Sequence, residues 1–174
     1  MESMNREVLI SKEAVKRRVR ELADEISRDH AGTELIVVGV LKGAFVFMAD
    51  LVRALRIPCR VDFTQLASYG GGTVSSGEVA IKKDIDLTIA GRDVLIVEDI
   101  VDTGQTLSFL VEALRARAPR SLKVCVLLDK KMRRKVPFAA DYTGFDIEDR
   151  FVIGYGLDYD EQGRSLPDVC VIKA

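Results

Sequence analysis

Three apolar runs without polar alternation constrain the fold of this chain most strongly. They occupy residues 35–40, 94–97 and 124–128, the last within an expected strand at 122–128. A strand with one wet face alternates apolar and polar residues, whereas an unbroken apolar run is typical of a strand buried on both faces of a parallel sheet. Between these runs, apolar residues recur at the spacing of a helix. The sequence therefore predicts an α/β fold, a mostly parallel twisted sheet flanked by helices.

The helices and remaining strands are predicted from periodicity and breakers. Ser11 is the expected cap of a first helix that reaches about Arg28, and Pro119 ends the helix that carries Leu107 and Leu114. A further helix is expected at 44–55. Further strands are expected at 60–68, 79–81, 87–89, 151–155 and 169–172. Residues 69–77 contain four glycines and two serines, which predicts a mobile loop.

Composition excludes several classes of protein. With 174 residues the chain fits one domain, and its 26 basic and 27 acidic residues leave a net charge of −1. No overall basic field points to nucleic acid, although residues 130–135 form a local basic run that could bind phosphate. The three cysteines lack a C-x-x-C pair, which indicates buried thiols in a reducing compartment. No signal-peptide core or membrane-length apolar run occurs, so we expect a cytoplasmic protein with no membrane partner.

Polar residues follow three of the predicted strands. They are Leu41-Lys42-Gly43, Glu98-Asp99 and Asp129-Lys130. Ligands of open α/β sheets bind at the carboxyl ends of the strands. The sequence therefore predicts a site at this edge of the sheet.

The segment 94–106 is the most informative. An apolar strand delivers Glu98 and Asp99, and a loop with Thr103, Gly104 and Thr106 then opens a helix. Free N–H groups at a helix start, with hydroxyls beside them, suit a phosphate monoester. Adjacent carboxylates suit the vicinal hydroxyls of a ribose, directly or through a metal. The segment thus predicts ribose 5-phosphate recognition. The alternative is that the two acids are merely solvated at a strand end and that Asp102 is a helix cap.

Other motifs are excluded by their context. Ile100 to Gly104 matches the apolar-apolar-Asp-Thr-Gly pattern of aspartic proteases, but those proteins are all-β and a helical pattern follows here at once. No G-x-x-x-x-G-K-[ST] occurs, and Gly154-Tyr155-Gly156 lacks the third glycine of a dinucleotide-binding motif. NTPase and dehydrogenase functions are therefore not supported.

The segment 94–106 resembles the phosphoribosyl-diphosphate signature of the type I phosphoribosyltransferases. The segments 41–43, 68–77, 129–130 and 151–159, with Arg164, are similar to the hypoxanthine-guanine branch of that family. The resemblance covers nearly the whole chain in the family's order, and only Met1 to Arg6 lie outside it. It implies the type I phosphoribosyltransferase fold in a single domain spanning 1–174. A small hood lobe would come from the N-terminal segment and 151–174, and a flexible lid loop would cover the site.

The resemblance also implies roles for individual residues. Asp102 would act as general base or proton partner near purine N7. Glu98 and Asp99 would hold the ribose hydroxyls and, with Asp158, bind Mg²⁺. Further expected ligands are Thr103, Gly104, Gln105 and Thr106 for the 5-phosphate, Leu41, Lys42, Gly43 and Arg164 for pyrophosphate, and Lys130, Phe151, Val152 and Asp158 around the purine. Ser68 and Tyr69 would belong to the lid, and the Leu41–Lys42 peptide is commonly cis in the family.

The activity implied by the resemblance belongs to purine salvage. The enzyme would transfer the 5-phosphoribosyl group from phosphoribosyl diphosphate to hypoxanthine or guanine, giving IMP or GMP and pyrophosphate. Family members are homodimers or homotetramers, so we expect one of these assemblies. Two alternatives stay open: a sibling enzyme for xanthine or a pyrimidine, and a regulator that senses phosphoribosyl diphosphate and binds nucleic acid.

Overall fold

The structure, a computed structural model, describes residues 5–69 and 78–173. Three helices and nine strands occur in the described part, together with a single 3-10 turn at Lys131–Arg133. The helices are α1 (Lys12–Asp29), α2 (Phe45–Ala54) and α3 (Gln105–Arg115). The strands are β1 (Arg6–Ile10), β2 (Leu35–Leu41), β3 (Cys59–Tyr69), β4 (Glu78–Lys83), β5 (Asp93–Val101), β6 (Ser121–Asp129), β7 (Tyr142–Asp146), β8 (Val152–Ile153) and β9 (Val169–Ile172).

The central sheet has the strand order β4-β3-β2-β5-β6-β7. Neighbouring strands run parallel except β4, which is antiparallel to β3. The register pairs Gly39 with Val97 and Val101 with Asp129, so β2, β5 and β6 end at the same edge. We call it the carboxyl edge. The predicted α/β class with a mostly parallel sheet is confirmed.

The two faces of the sheet bury separate apolar clusters. Leu35 and Val37 pack with residues of α1 and α2, whereas their strand neighbours Ile36 and Val38 pack with residues of α3. All four side chains are fully buried. Burying such a side chain contributes about 1.5–3 kcal/mol, which is why β2 carries no polar alternation.

A second, antiparallel sheet has the order β1-β9-β8. Val152 and Val169 of this sheet belong to the same apolar cluster as α1 and α2. Its strands come from the N-terminal segment and from 151–174, the two segments that the resemblance assigns to a hood lobe. The small sheet therefore packs on the α1–α2 face of the molecule.

Several sequence predictions of secondary structure need correction. Residues 87–89 do not form a strand, because the Asp62 carboxylate accepts hydrogen bonds from the N–H groups of Asp86 (2.7 Å) and Leu87 (2.8 Å). The strand expected at 151–155 ends at Ile153, since Gly154 and Tyr155 have positive φ values of 99° and 50° and turn the chain. The short strands β1 and β7 were not predicted.

Two other expectations concern the lid and the membrane. Ser68 and Tyr69 end β3, and the rest of the predicted lid loop, residues 70–77, lies outside the described residues. Within 5–69 and 78–173, no helix is long and apolar enough to cross a bilayer.

Candidate active site

The loops after β5 and β6 begin side by side at the carboxyl edge. The N–H of Lys130 donates to the carbonyl of Val101 at 3.0 Å. Parallel pairing thereby continues one residue beyond β6. As a result, Asp102 and Lys130, far apart in sequence, start two adjacent loops.

The acid pair Glu98 and Asp99 lies inside β5 rather than after it, and each residue is only 8% exposed. A Cβ added to Gly43 would overlap the Asp99 carboxylate, so this carboxylate lies directly against the backbone of the 41–43 segment. Glu98 Oε1 accepts a hydrogen bond from the Asp99 N–H at 3.1 Å. The alternative in which these acids are merely solvated at a strand end is therefore wrong.

Burial dominates the electrostatics of this pair. Loss of hydration raises the pKa of Glu98 well above its usual value, and the neighbouring Asp99 carboxylate raises that pKa further. Burial also raises the pKa of Asp99, although its hydrogen bond with Glu98 and the positive charge of Arg164 oppose the increase. Such a pair favours bound ligands that supply hydroxyl donors or a cation.

Residues 102–106 form a loop that we call the phosphate loop. Gly104 has φ of 82° and is the N-cap residue of α3, and Gln105 and Thr106 are exposed in the first turn. Thr103 Oγ1 accepts a weak hydrogen bond from the Gln105 N–H at 3.4 Å. Asp102 is therefore not the cap of this helix, and the alternative that reduced it to one is wrong. Its Oδ1 instead accepts from Arg133 Nε at 3.0 Å.

The 41–43 segment meets the 154–164 segment at the same edge. The Leu41–Lys42 peptide is cis, as the resemblance implies. A Cβ added to Gly156 would overlap the carbonyl oxygen of Gly43, so the two backbones are in close contact. Arg164 Nη1 donates to the Gly156 carbonyl at 2.8 Å, and Arg164 Nη2 lies 2.8 Å from Asp158 Oδ1. Lys42, Asp158 and Arg164 are thereby brought together beside Asp99.

Glu161 is a member of this group that sequence reasoning missed. Its Oε2 lies 2.9 Å from Lys42 Nζ and 3.4 Å from Arg164 Nη2. The Lys42 ammonium is the main cause of a lowered pKa at Glu161. Glu161 thus places a carboxylate between two cations that the family resemblance assigns to pyrophosphate. Nothing in its local sequence pattern signals this.

Three of the residues expected around the purine, Lys130, Phe151 and Val152, lie just after β6 and at the start of β8, whereas Asp158 lies beside Arg164. Lys130 is buried, and its Nζ lies 3.8 Å from Asp149 Oδ1. Phe151 is 55% exposed and packs edge to face against Tyr159, with 5.5 Å between ring centroids. Val152 is buried and pairs with Val171 of β9. Phe151 therefore keeps much of its ring surface open to a planar ligand.

Asp149 and Arg133 connect Lys130 to Asp102. Sequence reasoning did not identify either residue as part of the site. Arg133 contacts Asp102 through Nε and Asp149 through Nη1, the second at 3.4 Å. Asp149 in turn lies near Lys130. The basic run at 130–135 was the only sequence signal for these contacts, and it did not indicate which residue pairs with which acid.

The donor chemistry fits magnesium bound together with substrate. Carboxylate oxygens are available from Glu98, Asp99 and Asp158, and the Asp158 carboxylate also accepts from the Glu161 N–H at 2.8 Å. Mg²⁺ is commonly held by one or two carboxylates with substrate phosphates and several waters. Within the described part of the chain, no group of three or more acidic, histidine or cysteine side chains is arranged to hold a metal alone. Coordination by this edge would therefore depend on oxygens of the ligand.

Comparison with known proteins decides the family. Residues 7–160 match the phosphoribosyl transferase domain. The chain belongs to the phosphoribosyltransferase family. The predicted family and fold class are thus confirmed.

Close relatives cover almost the entire chain. A hypoxanthine-guanine phosphoribosyltransferase of Aquifex aeolicus is 50% identical over 95% of this chain and 94% of its own length. A hypoxanthine-guanine phosphoribosyltransferase of Bacillus subtilis is 49% identical over 95% of this chain and 92% of its own length. The crystal structure of a hypoxanthine-guanine phosphoribosyltransferase from Bacillus anthracis superposes with a TM-score of 0.92 at 46% identity, covering 96% of this chain and 98% of that one.

The contact between Gly156 and Gly43 can be tested with a matched pair of glycine variants. Both Gly156 and Gly91 have positive φ, 102° and 68°, but a Cβ at Gly91 meets nothing within 4 Å. Gly91→Ala should lower the free energy of unfolding by about 1–2 kcal/mol, the cost of a left-handed alanine. Gly156→Ala should cost clearly more, because its Cβ must also displace the 41–43 backbone. Denaturant unfolding measures both, and equal costs would contradict the close contact.

Proposed function

We propose that this phosphoribosyltransferase acts in purine salvage. It transfers the 5-phosphoribosyl group from phosphoribosyl diphosphate to hypoxanthine or guanine and forms IMP or GMP and pyrophosphate. The observation that carries this proposal is the juxtaposition of Asp102 and Lys130, whose loops start together beside the buried acid pair. The names of the relatives described above support the same pair of bases.

The sugar substrate would bind along the carboxyl edge. The phosphate loop would take the 5-phosphate on its N–H groups and hydroxyls, and Glu98 and Asp99 would accept hydrogen bonds from the ribose hydroxyls. Leu41, Lys42, Gly43 and Arg164 would bind the pyrophosphate group. Because Glu161 already contacts both Lys42 and Arg164, pyrophosphate binding exchanges one anionic partner of these cations for another.

The base would bind between β6 and β8. Lys130 has only donors and suits the exocyclic oxygen of a 6-oxopurine. Phe151 offers a ring face for stacking, the Val152 backbone would pair with the ring edge, and Asp158 would be the fourth residue near the base. Asp102 would accept the proton of purine N7 as N9 forms the glycosidic bond.

Water must be kept from the reacting sugar. The transition state resembles an oxocarbenium ion, which water would capture. We propose that Ser68 and Tyr69 belong to a lid that excludes solvent during transfer. Support for this role comes from the family resemblance and from the position of both residues at the end of β3.

Magnesium is the proposed cofactor. When bound by Glu98, Asp99 and Asp158 with the substrate oxygens, it would neutralise charge on the departing pyrophosphate. Lys42 and Arg164 supply two positive charges, fewer than the negative charges that a pyrophosphate carries. Excess chelator should therefore abolish pyrophosphate release, and restoring Mg²⁺ should recover it. Full turnover in chelator would contradict the metal requirement.

We further propose that the enzyme is a cytoplasmic homodimer or homotetramer, without nucleic-acid or membrane partners. Phe45 is 44% exposed and lines a groove of about 1050 Å³ between α1, α2 and residues 164–167, a surface that a second copy could cover. All three cysteines are free thiols, which suits a reducing compartment. Light scattering of the purified chain distinguishes these assemblies from a monomer, and cell fractionation tests the location.

Base preference tests the proposed function directly. Pyrophosphate release should be fast with hypoxanthine or guanine and very slow with adenine, because the amino group at adenine C6 would face the Lys130 ammonium, donor against donor. An unpaired polar group in a desolvated site costs on the order of 10⁴-fold in kcat/KM. Lys130→Ala should impair hypoxanthine far more than adenine.

Lys131→Ala is the matched control for Lys130→Ala. Lys131 is exposed and its Nζ pairs with Asp146 at 2.7 Å, outside the proposed base pocket. This variant should retain the preference of the unaltered enzyme. Use of adenine within tenfold of hypoxanthine by the unaltered enzyme would overturn the role of Lys130, and preference for xanthine or uracil would favour the sibling enzymes.

Replacement of Asp102 separates proton transfer from binding. Asp102→Asn should keep the affinity for phosphoribosyl diphosphate but slow turnover roughly 10²–10⁴-fold, the usual contribution of general acid–base catalysis. Calorimetric binding and steady-state turnover measure the two effects. Glu98→Gln combined with Asp99→Asn should show the opposite pattern and weaken the sugar substrate first. Loss of sugar binding with unchanged turnover in Asp102→Asn would refute the assignment.

A further inference from the structure

The basic run at 130–135 contains one arginine that points into the protein. The side chain of Arg134 is 16% exposed, whereas those of Lys131 and Arg133 are 66% and 48% exposed. A buried guanidinium has five donors to satisfy and is costly to leave unpaired. The partners of Arg134 therefore indicate what this part of the run does.

Arg134 joins the ends of two strands. Its Nη2 pairs with the carboxylate of Asp129, which is 3% exposed at the end of β6. Its Nη1 donates to the carbonyl of Asp102 at 2.6 Å, just after β5. Its Nε donates to the carbonyl of Phe138 at 3.2 Å, and the guanidinium lies 5.8 Å from the centre of the Phe138 ring. The Arg134 side chain thus holds the backbone of Asp102, the proposed general base.

Lys135, the next residue, binds a second carbonyl of the phosphate loop on the same side. The N–H of Lys135 donates to the carbonyl of Thr103 at 2.9 Å. In a trans peptide the C=O and the following N–H point in opposite directions. Holding the carbonyls of Asp102 and Thr103 against residues 134–135 therefore aims the N–H groups of Thr103 and Gly104 to the other side. Those N–H groups belong to the loop that would bind the 5-phosphate.

Close packing fixes the loop against this segment. A Cβ at Gly104 would lie 3.0 Å from Phe138 Cβ and 3.1 Å from Arg134 Cδ. The loop therefore lies directly against the side chains of Arg134 and Phe138. Arg133 differs in this respect, because both members of its pair with Asp102 are about half exposed and such pairs hold geometry weakly.

We propose that Arg134 is a positioning residue for phosphoribosyl transfer. By linking the Asp129 carboxylate to the Asp102 carbonyl, it fixes the backbone from which the Asp102 carboxylate projects and orients the N–H groups of the phosphate loop. This inference rests on the proposed function.

The same two strands carry a matched control pair at their opposite ends. Asp93 begins β5 and is 5% exposed, and its carboxylate pairs with both Arg120 Nε (2.9 Å) and Arg120 Nη2. This arginine–aspartate pair lies at the amino edge of the sheet, away from the proposed site. The Arg120 side chain is 58% exposed, so the two pairs match in their buried aspartate and not in the arginine. Replacing Arg120 reports what loss of an arginine partner to a buried aspartate does away from the site.

The deciding experiment compares Arg134→Lys with Arg120→Lys. Lysine keeps the positive charge opposite Asp129, so the variant should fold. Lysine cannot also reach the carbonyls of Asp102 and Phe138, so the positioning contacts are lost. Its kcat should fall on the order of 10²-fold, the effect of a displacement of about 1 Å at reacting groups, and KM for phosphoribosyl diphosphate should rise. Arg120→Lys should leave both constants unchanged. Pyrophosphate release is measured below the unfolding midpoint of each variant.

Chemical rescue separates positioning from general destabilisation. Millimolar guanidinium should raise the turnover of Arg134→Ala by occupying the vacated position, and it should not raise that of Arg120→Ala. If Arg134→Ala does not fold, Arg134→Lys alone decides. Unchanged kcat and KM in Arg134→Lys overturn the inference, as does an equal loss in Arg120→Lys. An unaltered enzyme that releases no pyrophosphate with hypoxanthine or guanine instead overturns the proposed function.

Discussion

Burial of the Glu98–Asp99 pair within β5 is the constraint on which the rest of the site depends. Removing a carboxylate from water costs several kcal/mol unless hydrogen bonds or opposite charges compensate. In this chain the compensation near Asp99 comes from the Glu98 side chain, from the Ile100 N–H that donates to Asp99 Oδ1 at 2.8 Å, from the Asp99 backbone and from Arg164. The strand that carries the acids lies between β2 and β6, and its residues Val94 to Val97 are fully buried. The stability of the sheet thus supports an electrostatically unfavourable site.

Close backbone contacts follow from that arrangement. The Asp99 carboxylate leaves no room for a side chain at position 43, and the Gly43 carbonyl leaves none at position 156. Two glycines therefore connect the acid pair to the segment that carries Asp158 and Arg164. Within that segment, Arg164 donates to the Gly156 carbonyl, which holds the guanidinium next to this contact. The position of β5 thus constrains two segments, 41–43 and 154–164.

The sequence predicted the central sheet and the edge where the site lies because those depend on local patterns. Unbroken apolar runs identified β2, β5 and β6, and polar residues identified their shared end. It did not predict β1 or β7, whose short strands are formed by long-range pairing with β9 and β6. The pairing of Asp102 with Arg133, and of Lys42 with Glu161, likewise depends on tertiary contacts that no spacing encodes.

Burial divides the cations of the site into two kinds. Lys42 and Arg133 hold their carboxylate partners at the surface, where water competes for every charge, so in the proposed reaction these partners would exchange at little cost. Arg134 and Asp129 are withdrawn from water, and separating them would strand a buried charge. In the proposed function the exposed cations would change partners, whereas the buried arginine would hold the backbone in place. A basic run read from sequence alone does not show this division, because it depends on which side chain turns inward after β6.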